Sequence, residues 1–350
     1  MRYFLCVATM FVAGLAAAEP YLAVQTGYAC SICHVNPTGA GLRTAFGNTF
    51  SQQQLTVRTV SENLWTGEFA DRFSIGANAR VAARQYDIDD QDNNLDFTVD
   101  RVAVYASAKV NDHVSVYLDQ QVAPGGSLNR EAWVMFSFER FYIKAGKMFV
   151  PLGWRLEDDT AFIRQVTGVN LNGGDNGIEL GYQSGAFNAQ FAATNGTGGT
   201  QEIDDGKQFA VRGEWVQSAW RAGLSVLHND TDLGERSIYG VFAGIKTGAV
   251  SWLFEYDRIE DEGFAPADLE QDVALIEANI RVRQGHNLKL TIESRTFDDS
   301  REDQVRGSVV YEYFPWAFTQ FRFGLRSSDS DDDLPSTNSK EIFLQAHVYF

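Results

Sequence analysis

From about residue 68 to the last residue, apolar and polar side chains alternate with a period of two. Phe73, Ile75, Ala77, Ala79 and Val81 interleave with Ser74, Asn78, Arg80 and Ala82, and Val250, Trp252, Phe254 and Tyr256 interleave with Ser251, Glu255 and Asp257. Val102, Val104, Ala106 and Ala108 repeat the pattern, as do Phe321, Phe323 and Leu325. Successive side chains of a strand point to opposite faces, so each run predicts a strand with one apolar and one polar face. About sixteen strands are expected, starting near residues 68, 95, 113, 130, 141, 177, 186, 207, 220, 237, 249, 270, 287, 303, 318 and 339.

A soluble β-sandwich also alternates, and the connections separate the two cases. Links after even-numbered strands are tight, as at Asn111-Asp112, Glu139-Arg140, Ser184-Gly185 and Thr247-Gly248. Links after odd-numbered strands are longer and acidic, as at Asp87 to Asn94, Gly196 to Gly206, Glu260 to Leu269 and Ser328 to Asn338. Short turns on one rim, long loops on the other and an even strand count are the pattern of an outer-membrane barrel. The final strand fits: Ile342, Leu344, Ala346, Val348 and Phe350 form an outward row, with Glu341, Gln345, His347 and Tyr349 inward. Its terminal phenylalanine resembles the recognition signal of the outer-membrane assembly machinery.

Two strands break the pattern. Phe97 and Val99 share one parity and Val102 and Val104 the other, which requires a bulge near Asp100-Arg101. The tenth strand, Ser237 to Lys246, is apolar on both parities.

The first 66 residues follow no such alternation. Arg2, an apolar run from Tyr3 to Leu15 and Ala16-Ala17-Ala18 before Glu19 predict a cleaved export signal over residues 1–18. That run is too short for a membrane-spanning helix, which needs about 20 residues. Cys6 leaves with it, so the mature chain keeps only Cys30 and Cys33. Composition adds 46 acidic against 29 basic residues, a net charge of −17, which argues against nucleic acid as a partner.

Cys30-Ser31-Ile32-Cys33-His34 spells C-x-x-C-H, the attachment site of a c-type haem. Each thiol adds to a haem vinyl group, and the histidine presents its imidazole to one face of the iron. A zinc half-site would need two further good ligands, yet His34 is the only histidine between residues 21 and 66 and no third cysteine is present there. A redox disulfide would not need the histidine, and no βαβ pattern surrounds the pair. Cys30, Cys33 and His34 are therefore the expected cofactor-binding residues for one covalent haem c, with His34 as proximal iron ligand. Asn36-Pro37-Thr38-Gly39-Ala40-Gly41 predicts a turn, followed by a short helix over Leu42 to Phe50. So small a segment cannot bury much core alone.

Residues 35–66 offer no histidine or methionine for the second face of the iron. The sixth position is then open, weakly ligated or filled from the barrel. An exported N-terminus puts the short turns on the periplasmic side. There His113 and His286 lie at turns and His347 is inward by parity near the same rim; His113 and His347 are the distal candidates, and His228, before an outer loop, is farther away.

With signal, haem motif, Asn36-Pro37-Thr38-Gly39 turn and barrel, the chain resembles the fused cytochrome-porins, outer-membrane proteins with one N-terminal c-type haem followed by a porin barrel. That family includes outer-membrane cytochromes implicated in extracellular iron oxidation. The resemblance implies single-electron transfer between a periplasmic cytochrome or other redox carrier and an extracellular donor or acceptor, ferrous iron among them. Separately, Ala145 to Gly153 resembles a strand-end stretch of polyphosphate- and phosphate-selective porins, and opens a long connection from Phe149 to Asn176. In general porins the loop at that place folds into the lumen, which would put Arg155, Arg164, Glu157, Asp158 and Asp159 at a constriction.

The expected organisation is all-β: a signal over 1–18, a minimal c-type cytochrome segment and linker over 19–66, and an outer-membrane barrel of about 16 antiparallel strands in contact with membrane lipid over 67–350. The leading expectation for function is electron transfer with the haem segment plugging the lumen. The alternative is a diffusion porin for small solutes with an accessory haem segment, and an open sixth position would permit a haem enzyme. The acidic outer loops, Asp87, Asp89, Asp90 and Asp92, Glu260 to Glu262, and Asp329 with Asp331 to Asp333, would draw cations.

Overall fold

The structure is a computed structural model that describes residues 19–88, 94–170, 173–202, 204–263, 268–299, 303–330 and 338–350. The expected signal over 1–18 and the acidic positions Asp89, Asp90, Asp92 and Asp331 to Asp333 lie outside the described residues.

Sixteen long antiparallel strands close on themselves. They are β1 (Phe73–Ile88), β2 (Asn94–Lys109), β3 (Val114–Ala123), β4 (Leu128–Ser137), β5 (Phe141–Met148), β6 (Asp175–Ser184), β7 (Phe187–Thr194) and β8 (Gln208–Val216). They continue as β9 (Trp220–Thr231), β10 (Gly234–Thr247), β11 (Val250–Glu262), β12 (Leu269–Arg283), β13 (His286–Phe297), β14 (Gln304–Tyr313), β15 (Thr319–Ser330) and β16 (Ser339–Tyr349). Each strand pairs with its sequence neighbours, and β16 returns to β1 in a register running from Ser339 opposite Ile88 to Tyr349 opposite Asn78. Closure leaves no free edge among them, which is how a sheet satisfies every backbone group in a medium without water. A two-residue strand, Glu68–Phe69, pairs with the start of β1.

The alternation sorts side chains as the sequence predicts. On β16, Ile342 and Leu344 are exposed while Glu341, Gln345, His347 and Tyr349 are buried. The bulge also stands where expected: Arg80 faces Arg101 and Val81 faces Val99, leaving Asp100 as the extra residue. One inserted residue flips the parity, so Phe97, Val99 and Val104 are all exposed on one face. Adjacent strands meet in short turns at one rim, including 185–186, 217–219 and 248–249; the turn over Asp232-Leu233 at the opposite rim is equally tight.

Much of the lumen is occupied by protein. Residues 149–170, after β5, fold inward and form helix α4 (Phe162–Gln165). Val150, Trp154, Leu156, Ala161, Phe162 and Ile163 of this connection pack on inward-facing Leu227, Ile238, Leu253, Ile259, Val273 and Leu275. That packing explains the tenth strand: Ile238 and Phe242 of β10 are apolar on the inner face because the lumen there contains protein rather than water. Residues 19–66 occupy the lumen at the short-turn rim. They contain helices α1 (Pro20–Thr26), α2 (Cys30–Cys33) and α3 (Ala45–Phe50), the last running into a π-helical turn over Ser51–Leu55. Thr44 caps α3, accepting a bond from Gly47 N at 3.1 Å, so the expected helix over Leu42 to Phe50 begins three residues late.

Candidate functional site

Cys30 and Cys33 sit on the single turn of α2, where His34 N donates to Cys30 O at 3.0 Å. The chain then turns through Asn36 to Gly41 and comes back alongside. Val35 N donates to Leu42 O and Thr44 N to Cys33 O, both at 3.0 Å, and His34 pairs with Arg43 in an isolated bridge. Two glycines let the strands of this small hairpin and α3 close on the motif. Gly47 lies so near that a Cβ would stand 2.3 Å from Cys33 O, and Gly39, at φ +91°, would carry a Cβ 3.3 Å from that of Cys30.

The hairpin is held by the inner wall of the barrel. Asn36 Nδ2 donates to Glu131 Oε1 at 2.9 Å, and Arg155 donates to Glu131 Oε2 at 3.0 Å and to Gly39 O at 2.8 Å. Tyr117 OH accepts from Leu42 N at 3.2 Å. Glu131 is fully buried and also accepts from Phe149 N, so one carboxylate ties together the hairpin, the inward connection and β4. Helix α1 is anchored on the other side. Glu19 pairs with Arg322 and with Lys289 at 3.1 Å, Tyr21 OH donates to Glu312 at 3.1 Å, and Lys246 Nζ donates to Gln25 O at 2.8 Å.

Between α1, α2, α3 and the inward connection lies a cavity open to solvent over part of its surface. Cys30, Cys33 and His34 line one side; Leu22, Ala23, Phe50, Leu55 and Trp154 supply apolar walls. Arg43, Arg155 and Arg212 complete it with cationic groups. Both thiols are free. Burial pushes the Cys33 thiol up to about 11. Burial, reinforced by Arg43 and Arg155, holds the His34 imidazole down at about 3, which keeps it neutral, the state in which it can donate a lone pair to a metal. His34 is buried and its Nδ1 has no hydrogen-bond partner. Paired free thiols and a neutral buried imidazole beside a partly apolar cavity fit the donor set that a covalently held haem c requires.

The distal candidates stand elsewhere. His347 is fully buried in the lumen and donates from Nδ1 to Gln320 Oε1 at 2.8 Å, while its Nε2 has no partner. Gln320 in turn donates to Glu312 at 2.9 Å, the carboxylate that receives Tyr21. His113 sits on an exposed turn and bonds Ser137 O at 3.0 Å. Neither lines the cavity, and among the described residues no second histidine and no methionine does so.

Beyond the inward connection, toward the long loops, is a second cavity with about 1590 Å³ of free space, lined by Arg80, Arg84, Arg306, Arg322 and Arg326 and by Glu157 to Asp159. The acidic residues expected at a constriction are there, and they are paired: Glu157 with Arg80, Asp158 with Arg326, and Asp159 with Arg101 and with Arg164 at 2.8 Å. Although burial pushes it up, Arg326 and Arg306 hold the Asp158 carboxyl well below the usual carboxylate range. Arg155, expected at the same constriction, belongs instead to the thiol-lined cavity, because its guanidinium is drawn to Glu131. Arg43, Glu131 and α1 carry no signal in the sequence that marks them for this site; only the fold brings them to the motif.

Solved structures similar to this chain are porin-type barrels. An anion-selective porin from Comamonas acidovorans superposes with a TM-score of 0.64 at 12% identity, covering 79% of this chain and 99% of its own. A loop-deletion form of OmpT, an outer membrane protein of Vibrio cholerae, gives 0.62 at 12% identity over 80% and 100%. A multiply substituted Rh. blastica porin gives 0.57 at 13% identity over 79% and 100%. No family model and no curated protein matches the chain. At such identities the likeness establishes the fold, a closed sixteen-stranded porin-type barrel, and the covered share is close to that of the barrel alone.

Proposed function

We propose that this chain is an outer-membrane protein whose porin-type barrel houses one covalent c-type haem at its periplasmic mouth and serves electron transfer between a periplasmic carrier and an extracellular donor or acceptor. The observation that carries this reading is the cavity itself: two free thiols one helical turn apart and a neutral, buried imidazole open onto a partly apolar space in the lumen. Cys30 and Cys33 would hold the haem through thioether bonds, and His34 would ligate its iron. Bound there, the haem supplies a one-electron redox couple. The chain's own residues do the rest. Glu131, Arg155 and Tyr117 fix the hairpin, Leu22, Phe50 and Trp154 limit the access of water, and the barrel puts the site within a wall whose apolar band spans about 25 Å in proteins of this kind.

The exposed apolar rows of the strands support contact with membrane lipid, and an export signal over residues 1–18 would put the short-turn rim and the N-terminal segment on the periplasmic side. Ferrous iron as the outside donor rests on the fused cytochrome-porin resemblance alone.

A second reading is a diffusion porin, and the fold comparisons favour it more directly, because the similar barrels are porins. The charged cavity on the long-loop side also favours it. One preparation separates the two. Under the electron-transfer reading, purified protein keeps a haem stain through denaturing electrophoresis, has a reducible haem spectrum and passes little ion current in a planar bilayer. A colourless protein with steady single-channel conductance would establish the porin reading instead.

A further inference from the structure

Among the described residues, the buried arginines of this lumen have carboxylate partners, with one exception. Arg130 pairs with Asp119, Arg212 and Arg221 with Glu214, Arg306 with Glu293 and Arg322 with Glu19, while Arg80, Arg101 and Arg164 take the acidic residues of the inward connection. Arg43 is as buried as these, at 5% exposure, yet makes no ion pair among the described residues, and its Nη2 has no hydrogen-bond partner. Its guanidinium lies over the Tyr349 ring, 5.2 Å from the centroid, a contact that orients the group without neutralising it. Burying a cation without a counter-charge is costly, so a position of this kind points to an anion that the protein chain does not itself provide.

Arg43 also lines the thiol cavity, one hairpin rung from the motif, since it is the bridge partner of His34. The other two cavity arginines are already engaged: Arg155 with Glu131 and Gly39, Arg212 with Glu214 and Gly153. A haem attached through both vinyl groups has two carboxylates left, its propionates. We propose that Arg43 is the cationic anchor of a haem propionate; this inference rests on the haem reading above and extends it to how the group is oriented. A guanidinium suits the role, since it offers two parallel donors to a carboxylate.

The test uses the full-length protein and its Arg43→Gln and Arg43→Lys variants. Intact mass reports covalent haem, redox titration reports the midpoint potential, and resonance Raman reports the propionate bending band. In Arg43→Gln the haem stays attached, the potential falls because an uncompensated carboxylate favours ferric iron, and the propionate band shifts; Arg43→Lys recovers most of the potential. A haem-loaded Arg43→Gln protein with unchanged potential and band overturns the proposal and leaves the haem reading intact. Should the glutamine variant fail to assemble, the wild-type band decides: a shift on exchange into heavy water marks a hydrogen-bonded propionate, and no shift overturns the assignment. A wild-type chain whose mass carries no haem removes both readings before any variant is made.

Discussion

The barrel of residues 73–350 and the segment of residues 19–66 inside it are stabilised in different ways. Each strand of the barrel is hydrogen-bonded on both sides, and most of its length repeats one local rule, apolar outward and polar inward, with the apolar inner positions from Leu227 to Leu275 as the exception. The inner segment has only short helices, and its tertiary bonds run largely to the wall: Asn36 to Glu131, Leu42 to Tyr117, Tyr21 to Glu312, Val57 N to Phe314 O at 2.9 Å. The contrast predicts an asymmetric pair, a wall that assembles without its plug and a plug that depends on its wall. The solved porins match about the barrel's share of the chain, in keeping with that asymmetry.

The largest test of this asymmetry removes the dependent part. A chain lacking residues 19–66 but keeping the export signal should still assemble as a heat-modifiable barrel. Its single-channel conductance should rise several-fold over the full chain, because the short-turn mouth is then open. If the truncated chain is degraded, the wall is not self-sufficient and the comparison fails.

A milder intervention leaves the segment and removes its proposed haem crosslink. Cys30→Ala with Cys33→Ala should abolish covalent haem while the amount of folded barrel in the outer-membrane fraction stays within about twofold of wild type. Segments this small usually depend on a covalent or metal staple, so residues 19–66 should become sensitive to protease. A double variant that keeps its haem stain through denaturing electrophoresis would contradict the attachment site.

The smallest expected effect lies at the seam. Glu131 is fully buried and serves Asn36, Arg155 and Phe149 N together. Glu131→Gln leaves the Arg155 charge without its partner. By the usual cost of breaking a buried pair, this should loosen the hairpin by about 3 kcal/mol. Hydrogen exchange should speed up at Asn36 to Leu42 and remain unchanged in strands on the opposite wall. Equal acceleration everywhere would mean that plug and barrel unfold as one unit.

Much of the barrel was legible in the linear pattern. Strand starts came within a few residues, because the alternation and the turns are local signals, and the bulge at Asp100 was visible as a parity change between Val99 and Val102. The inward apolar face of β10 was visible only as an anomaly. Its reason, contact with α1 and the inward connection, lies between residues more than seventy positions apart. The helix α1 was missed, since seven residues, the first of them a proline, give too little periodicity to read.

The candidate site divides along the same line. Cys30, Cys33 and His34 are adjacent in the chain, and thioether chemistry needs that spacing, so the sequence alone determined them as the attachment site to expect. Parity alone also set His347 inward. What parity could not decide is what an inward residue meets. His347 turned out to bond Gln320, and the cavity wall received Arg43, Arg155 and Trp154. Those choices depend on how one chain folds back into its own barrel, and local alternation holds no information about distances across a lumen. The sequence thus determined a barrel and a C-x-x-C-H motif; only the tertiary structure put the motif inside the barrel and, among the described residues, left one buried arginine there without a counter-charge, because burial and pairing are properties of the closed fold.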